Sequence, residues 1–181
     1  TINYPSLKEN KKVDILIIGG GITGISSFYH LKNTNLKVML VEQNKIGFSV
    51  TGKSTGKLCY LQNDLLDKIK KNLGEKTLLK YIDSQIEAIN LITNTIEKEK
   101  INCDLEEVDS IIYTNNNKEI NKLKKLQTFL KHNNINASIT NNNLVKSKYM
   151  FKVNNTYTFH PLKFIYGLLN NNYNIYEKTR I

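Results

Sequence analysis

The first patterned stretch is residues 13–18, Val-Asp-Ile-Leu-Ile-Ile, an apolar run interrupted by one acid. A run of this kind predicts a strand buried on both faces of a parallel sheet. Three glycines end it, and Ile22, Ile25, Phe28 and Tyr29 then recur at helical spacing up to about Lys32. Asn33 and Asn35 break that helix, and residues 37–42, Lys-Val-Met-Leu-Val-Glu, predict a second strand. The passage reads as a compact βαβ unit, whose crossover is right-handed. Residues 43–60 are small and hydroxylated and predict a loop. A short amphipathic helix follows at 63–73, then a long one at 75–100 with Leu78, Ile82, Ile86, Ile89 and Ile96 along one stripe. Residues 110–114 predict a strand, Asn115-Asn116-Asn117 a turn, and Ile120, Leu123, Leu126 and Leu130 another helix. Short strands are expected at 137–139 and 149–153 around an Asn-rich loop. His160-Pro161 opens a last helix reaching about Leu169, with Pro where a helix start tolerates it, and 173–177 closes with a strand.

Chemistry first enters at the turn after the first strand. Gly19-Gly20-Gly21-Ile22-Thr23-Gly24 satisfies G-x-G-x-x-G. Gly19 permits the tight strand-to-helix turn, Gly21 lets backbone approach a pyrophosphate, and Gly24 lets helix and strand pack closely. The pyrophosphate would sit on the helix N-terminus, where free N–H groups and the macrodipole favour anions. Glu42 ends the next strand 23 positions after Gly19, matching the acid expected to accept hydrogen bonds from the adenosine ribose. An acid there also disfavours a 2′-phosphate, and so NADP. A second pattern overlaps the following loop: Gly47-Phe48-Ser49-Val50-Thr51-Gly52-Lys53-Ser54 is a literal G-x-x-x-x-G-K-[ST]. A phosphate loop of that type starts at a strand's end and leads into a helix. Here residues 43–46 intervene and Gly56 follows almost at once, so the match reads as coincidence.

Composition changes little of this picture. The chain has 181 residues, 40% hydrophobic and 23% charged, within the range of a globular domain. No apolar run is long enough to span a membrane, and the N-terminus has no signal-peptide core. Two cysteines make no disulfide framework, no Cys/His spacing suggests a metal, and the default compartment is cytoplasmic. The net charge of +10 raises nucleic-acid binding as an alternative. The lysines are scattered through an Asn-, Ile- and Lys-rich chain without a basic-aromatic motif, which argues against that partner.

Taken together, the glycine turn, Glu42 and the segment Thr51-Gly52-Lys53-Ser54-Thr55-Gly56-Lys57-Leu58 resemble the N-terminal half of FAD-dependent oxidoreductases of the D-amino-acid-oxidase and glycine-oxidase superfamily. More narrowly they resemble a bacterial group that often carries a C-terminal Rieske iron–sulfur domain. That group has Thr-Gly-His-Thr-Thr-Ala-Lys where this chain reads Thr-Gly-Lys-Ser-Thr-Gly-Lys, so Lys53 replaces a His and Gly56 an Ala. The likeness continues at Ile101-Asn102-Cys103-Asp104, Phe159-His160-Pro161-Leu162-Lys163 and Ile175-Tyr176-Glu177-Lys178-Thr179-Arg180.

The resemblance implies an α/β fold: a Rossmann-like FAD/NAD(P)-binding domain with an inserted, incomplete mixed-sheet substrate domain. Residues 1–104 would form the first part of the FAD-binding domain, 105–158 the start of the substrate domain, and 159–181 a truncated return. By the same resemblance Gly19, Gly21, Ile22, Thr23 and Gly24 would lie at the FAD pyrophosphate and Glu42 on the ribose. Thr51, Gly52, Ser54, Thr55 and Lys57 would pass beside the pyrophosphate and flavin. The implied reaction is hydride transfer from an amine or amino acid to flavin, with oxygen or a protein as final electron acceptor. The chain would be part of an enzyme and inactive alone, with exposed apolar surface favouring self-association. No catalytic residue is assigned: His160 reads equally as a structural histidine, and Cys103 as a core thiol. A non-catalytic FAD- or nucleotide-binding module is the other class of reading.

Overall fold

The computed structural model describes residues 2–141, 145–169 and 174–181. Its contacts divide the chain into two compact units, one of residues 1–56, 94–105 and 159–181, the other of 57–93 and 106–158.

The first unit is built on a parallel sheet of β1 (Ile15–Ile18), β2 (Val38–Val41) and β7 (Ile175–Tyr176), in the order β1-β2-β7. The register sets Ile15 against Val38 and Leu40 against Ile175. β2 lies between two strands and is buried at all four positions, which its Val-Met-Leu-Val sequence suits. β1 departs from the expectation of burial on both faces. Ile15 and Ile17 are half-buried, but Leu16 is 39% and Ile18 69% exposed. It is an edge strand among the described residues, with α1 (Ile22–Leu31) against one side and the Leu16/Ile18 side open.

α1 also packs on α4 (Pro161–Leu168). α4 starts as Pro161 at its first position allows, and the His160 ring nitrogen Nδ1 accepts the Lys163 N–H at 3.4 Å. Residues 94–105 join the same unit. The Tyr29 hydroxyl donates to Glu99 at 2.6 Å, which with burial pushes the phenol up to about 12 and holds the Glu99 carboxyl below its ordinary value.

The second unit has an antiparallel sheet centred on β6 (Tyr149–Thr158). β4 (Glu106–Thr114) pairs along its length, while β3 (Lys57–Leu58) pairs with its C-terminal end and β5 (Ala137–Ile139) with Phe151, Lys152 and Val153. Both long strands exceed their sequence expectation of 110–114 and 149–153. Mutual pairing carries polar residues that have no strand periodicity of their own. Between Val108 and Ser110 the register slips, two residues of β6 facing one of β4, and Asn155 takes φ 57° at this bulge. The sheet, α2 (Asn63–Lys98) and α3 (Asn117–His132) enclose Leu66, Leu78, Ile82, Leu123, Leu130, Ala137, Phe151 and Val153. α2 is interrupted at Gly74 (φ 82°, ψ 170°), so 63–73 and 75–98 are two helical segments, as their separate periodicities predict. The Asn-rich segment between β5 and β6 lies partly outside the described residues, as does Tyr173 of the expected last strand.

Two helices stop by the same device. After α2, Lys100 enters the left-handed region (φ 52°), its N–H donates to Glu97 O and that of Ile101 to Ile96 O. After α3, Asn134 (φ 60°) does the same, with N–H bonds to Lys131 O and, from Ile135, to Leu130 O. Lysine tolerates that conformation poorly, whereas asparagine visits it readily. Lys100→Gly should therefore raise unfolding stability by roughly 0.5–1 kcal/mol in urea denaturation, with Asn134→Gly giving a smaller change. Equal effects at the two positions would contradict this account of the caps.

Candidate functional site

The candidate site forms where β1 and β2 end, the position at which open parallel sheets take ligands. The Gly19 N–H donates to Val41 O at 2.8 Å, tying the turn after β1 to the end of β2. Gly19 has φ 110°, open to glycine and hostile to other residues. At Gly24 the constraint is contact: a Cβ there would lie 2.0 Å from Gly19 O and 3.3 Å from Ile17 Cγ2. The first turn of α1 thus sits directly on the glycine turn, with Gly21 as N-cap. No acid occupies that first turn, so its N–H groups and the helix dipole are unopposed for an anion.

Glu42 follows β2 immediately. Its Oε2 accepts the Gly20 N–H and its Oε1 the Asn44 N–H, both at 2.7 Å. The acid expected on a ribose is therefore also the clamp that joins the glycine turn to the strand end. Gly47 N donates to Gly20 O at 2.9 Å, folding the next loop back on the same turn. That loop contains a 3-10 turn at Thr51–Lys53, where none was expected. The buried Thr51 hydroxyl accepts the Ile22 N–H at 2.9 Å. A Cβ on Gly21 would stand 3.2 Å from that oxygen, so the open approach at Gly21 is bordered by Thr51.

The structure thus brings Gly19, Gly21, Ile22, Gly24, Glu42 and Thr51 together, with Thr23 exposed on the same first turn. It gives the rest of the loop local duties. A Cβ on Gly52 would lie 2.5 Å from Gly47 O, Ser54 Oγ accepts the Gly56 N–H at 3.2 Å, and Thr55 is exposed. Lys57 is exposed and starts β3 in the second unit. β3, not a helix, follows Lys53-Ser54, so the G-x-x-x-x-G-K-[ST] match lacks the helix a phosphate loop needs. His160 is the cap of α4. Cys103 is 1% exposed and burial pushes its thiol up, which suits a packed core residue and not a nucleophile.

One carboxylate was not singled out by sequence reasoning. Glu177 follows β7 as Glu42 follows β2, and the register sets Val41 against Tyr176. It is 2% exposed, with Oε1 accepting the Ile46 N–H at 2.9 Å and Oε2 the Tyr4 N–H at 3.3 Å. Burial, then this carboxylate, raises the Tyr4 and Tyr166 phenols, and the Tyr166 hydroxyl donates to Ile46 O at 3.1 Å. The available signal was a single acid directly after an apolar strand, the same signal that marks Glu42.

Comparison with known proteins identifies the family and the fold. Residues 14–171 match the family described as FAD dependent oxidoreductase. A Bacillus subtilis protein named as a Rieske 2Fe-2S iron-sulfur protein is 29% identical over 174 residues, covering 92% of this chain and 33% of its own length. The gamma-glutamylputrescine oxidoreductase of Escherichia coli is 31% identical over 101 residues, covering 56% of this chain and 24% of that protein. The chain therefore spans about a third or less of these relatives. Among solved structures, an L-amino acid deaminase from Proteus vulgaris superposes with a TM-score of 0.73 at 13% identity, over 98% of this chain and 47% of that one. That likeness shows the fold.

The clamp made by Glu42 is measurable without any ligand. Glu42→Ala leaves the buried Gly20 N–H without its acceptor and should lower stability by about 1–3 kcal/mol. Amide exchange at Gly20 should accelerate in parallel. Unchanged exchange at that amide would show the carboxylate to be idle in the free protein.

Proposed function

The chain belongs to the family of FAD dependent oxidoreductases, and from that premise we propose that its glycine turn and Glu42 hold the ADP half of FAD. Gly19, Gly21, Ile22, Thr23 and Gly24 receive the pyrophosphate on the N-terminus of α1, and Glu42 takes the adenosine ribose. Thr51, Gly52, Ser54, Thr55 and Lys57 line the path from pyrophosphate to flavin. The observation that carries this reading is the Gly20 N–H to Glu42 bond of 2.7 Å, which makes the fingerprint and the acid one preorganised site. The carboxylate retains lone pairs beyond its two backbone bonds, so ribose hydroxyls can be added without undoing the clamp. Thr51 holds the wall beside Gly21 and supplies a hydroxyl at the helix start.

When bound, FAD supplies a two-electron acceptor for a hydride from the substrate carbon. The substrate class we propose is an amine or amino acid, supported by the amine oxidoreductase among the relatives. Oxygen or a protein is the final electron acceptor. We assign residues 1–104 and 159–181 to the FAD-binding domain and 105–158 to the start of the substrate domain, with residues 57–93 grouped by their contacts with the substrate-domain unit. Among the described residues no helix is long and apolar enough to cross a membrane, and the cytoplasm is the compartment we assign. The lysines are spread over both units, which favours a solvated surface over a nucleic-acid track. The exposed Leu16 and Ile18 offer an apolar face for self-association.

Flavin fluorescence should change saturably as FAD is titrated with the protein, and AMP should compete. Gly21→Val should abolish that binding, since its side chain would displace Thr51 and fill the pyrophosphate approach. Lys53→Ala should neither create nor remove ATP hydrolysis. A saturable ATPase lost in that variant would instead favour the second glycine motif. The activity is proposed for a protein of the relatives' full span. Anaerobic addition of amines and amino acids to the FAD-loaded 181-residue chain is thus expected to leave the flavin band unbleached. Rapid, substrate-specific bleaching would show that the chain alone completes the pocket.

A further inference from the structure

The second unit contains a cleft that the flavin reading does not use. Gly74 separates the two segments of α2, so Leu66 and Leu78 face α3 from different helical pieces. The three pieces do not close on one another. They leave a cavity of about 280 Å³, floored by Leu66, Leu78 and Leu126, which are 0%, 1% and 6% exposed. Past Lys70, Lys125 and Phe129 the cavity continues into a wider hollow of about 640 Å³ that Lys76 also lines. An apolar floor with a few charged groups at the mouth is the general form of a small-molecule site, and the inner volume alone falls just short of the roughly 300–1,000 Å³ such sites span.

The charges at the mouth do not cancel. Asp67 is paired with Lys122, and Glu75 with Lys70 at 2.7 Å. Lys70 Nζ also stands 5.2 Å from the Phe129 ring centroid, which fixes the ring against the opening. Both acids of the lining are therefore committed. Lys76 and Lys125 have no acid partner among the described residues. One unpaired ammonium group at the shared mouth, Lys125, and a second in the adjoining hollow, Lys76, beside an apolar floor call for a ligand that is anionic at one end and hydrocarbon at the other. A neutral apolar molecule would leave the lysines unsatisfied, and a small hydrophilic anion would leave the floor unfilled.

We propose that the cleft between α2 and α3 binds a small amphipathic carboxylate, its head on Lys76 and Lys125 and its hydrocarbon body on Leu66, Leu78, Leu126 and Phe129. The site is separate from the glycine turn and does not depend on FAD.

The test is calorimetric titration of the full chain with octanoate, octanol and acetate, without FAD. Octanoate should bind one to one and saturably, with octanol and acetate about tenfold weaker or more, because each lacks one half of the complement. The Lys76→Gln/Lys125→Gln double variant changes exposed side chains only, and should weaken octanoate about tenfold with little effect on octanol. Ile18→Asn, which alters the open face of β1, should leave octanoate binding unchanged. Equal affinity for octanol and octanoate, or undiminished octanoate binding in the double lysine variant, would overturn the proposal. So would non-saturable uptake, or binding lost with Ile18→Asn instead of with the lysines.

Discussion

The absence of a side chain at residue 24 is the constraint from which the rest of the first unit follows. Gly19 O occupies the volume where a Cβ at that position would fall, 2.0 Å away. Only with that volume empty can α1 start directly on the turn after β1. That seating places the N-terminus of α1 beside the end of β2, within reach of Glu42. Without it the Gly20 N–H would lose its acceptor and Thr51 its contact with Ile22. Close packing here is a geometric condition for the charge arrangement, not an addition to it.

The two carboxylates at the strand ends show how one arrangement is used twice to hold loops to the sheet. Glu42 and Glu177 follow neighbouring parallel strands, and each accepts two backbone N–H groups from loops that would otherwise leave those donors unpaired. Hydrogen bonds to an ionised acceptor are stronger than neutral ones, so each acid holds its loop firmly for a single side chain. Glu177 is enclosed and fully used in this way. Glu42 is half-buried and retains an accessible side, which Glu177 lacks.

Local signals were legible in the sequence wherever they are local in cause. The βαβ unit, the break at Gly74 and the Pro161 helix start each depend on residues close together in the chain, and each appears as read. What depends on partners distant in sequence was less visible. β4 and β6 support each other well beyond their apolar cores, and the bulge at Asn155 exists only because β4 lies opposite. The exposure of Leu16 and Ile18 could not be inferred from an apolar run, since the run is the same whether one face or both are covered. At the candidate site, the nearness of Glu42 to the glycine turn was legible because the spacing of a strand, a turn, a helix and a second strand fixes it. The Thr51 hydroxyl on Ile22 and the Glu177 clamp join residues 29 and 131 positions apart, and nothing in the linear pattern announces them.

The order in which the segments leave the ribosome matters for the discontinuous first unit. β1, α1 and β2 emerge early, but β7, which pairs with the far edge of β2, is made only after the second unit's last strand. The sheet must wait with that edge unpaired while more than a hundred residues are synthesised, at rates of about 5–20 residues per second. The second unit closes between residues 57 and 158, so its antiparallel sheet can assemble first. For several seconds the nascent protein therefore carries a half-built parallel sheet with an apolar edge, the interval in which chaperone binding would matter most.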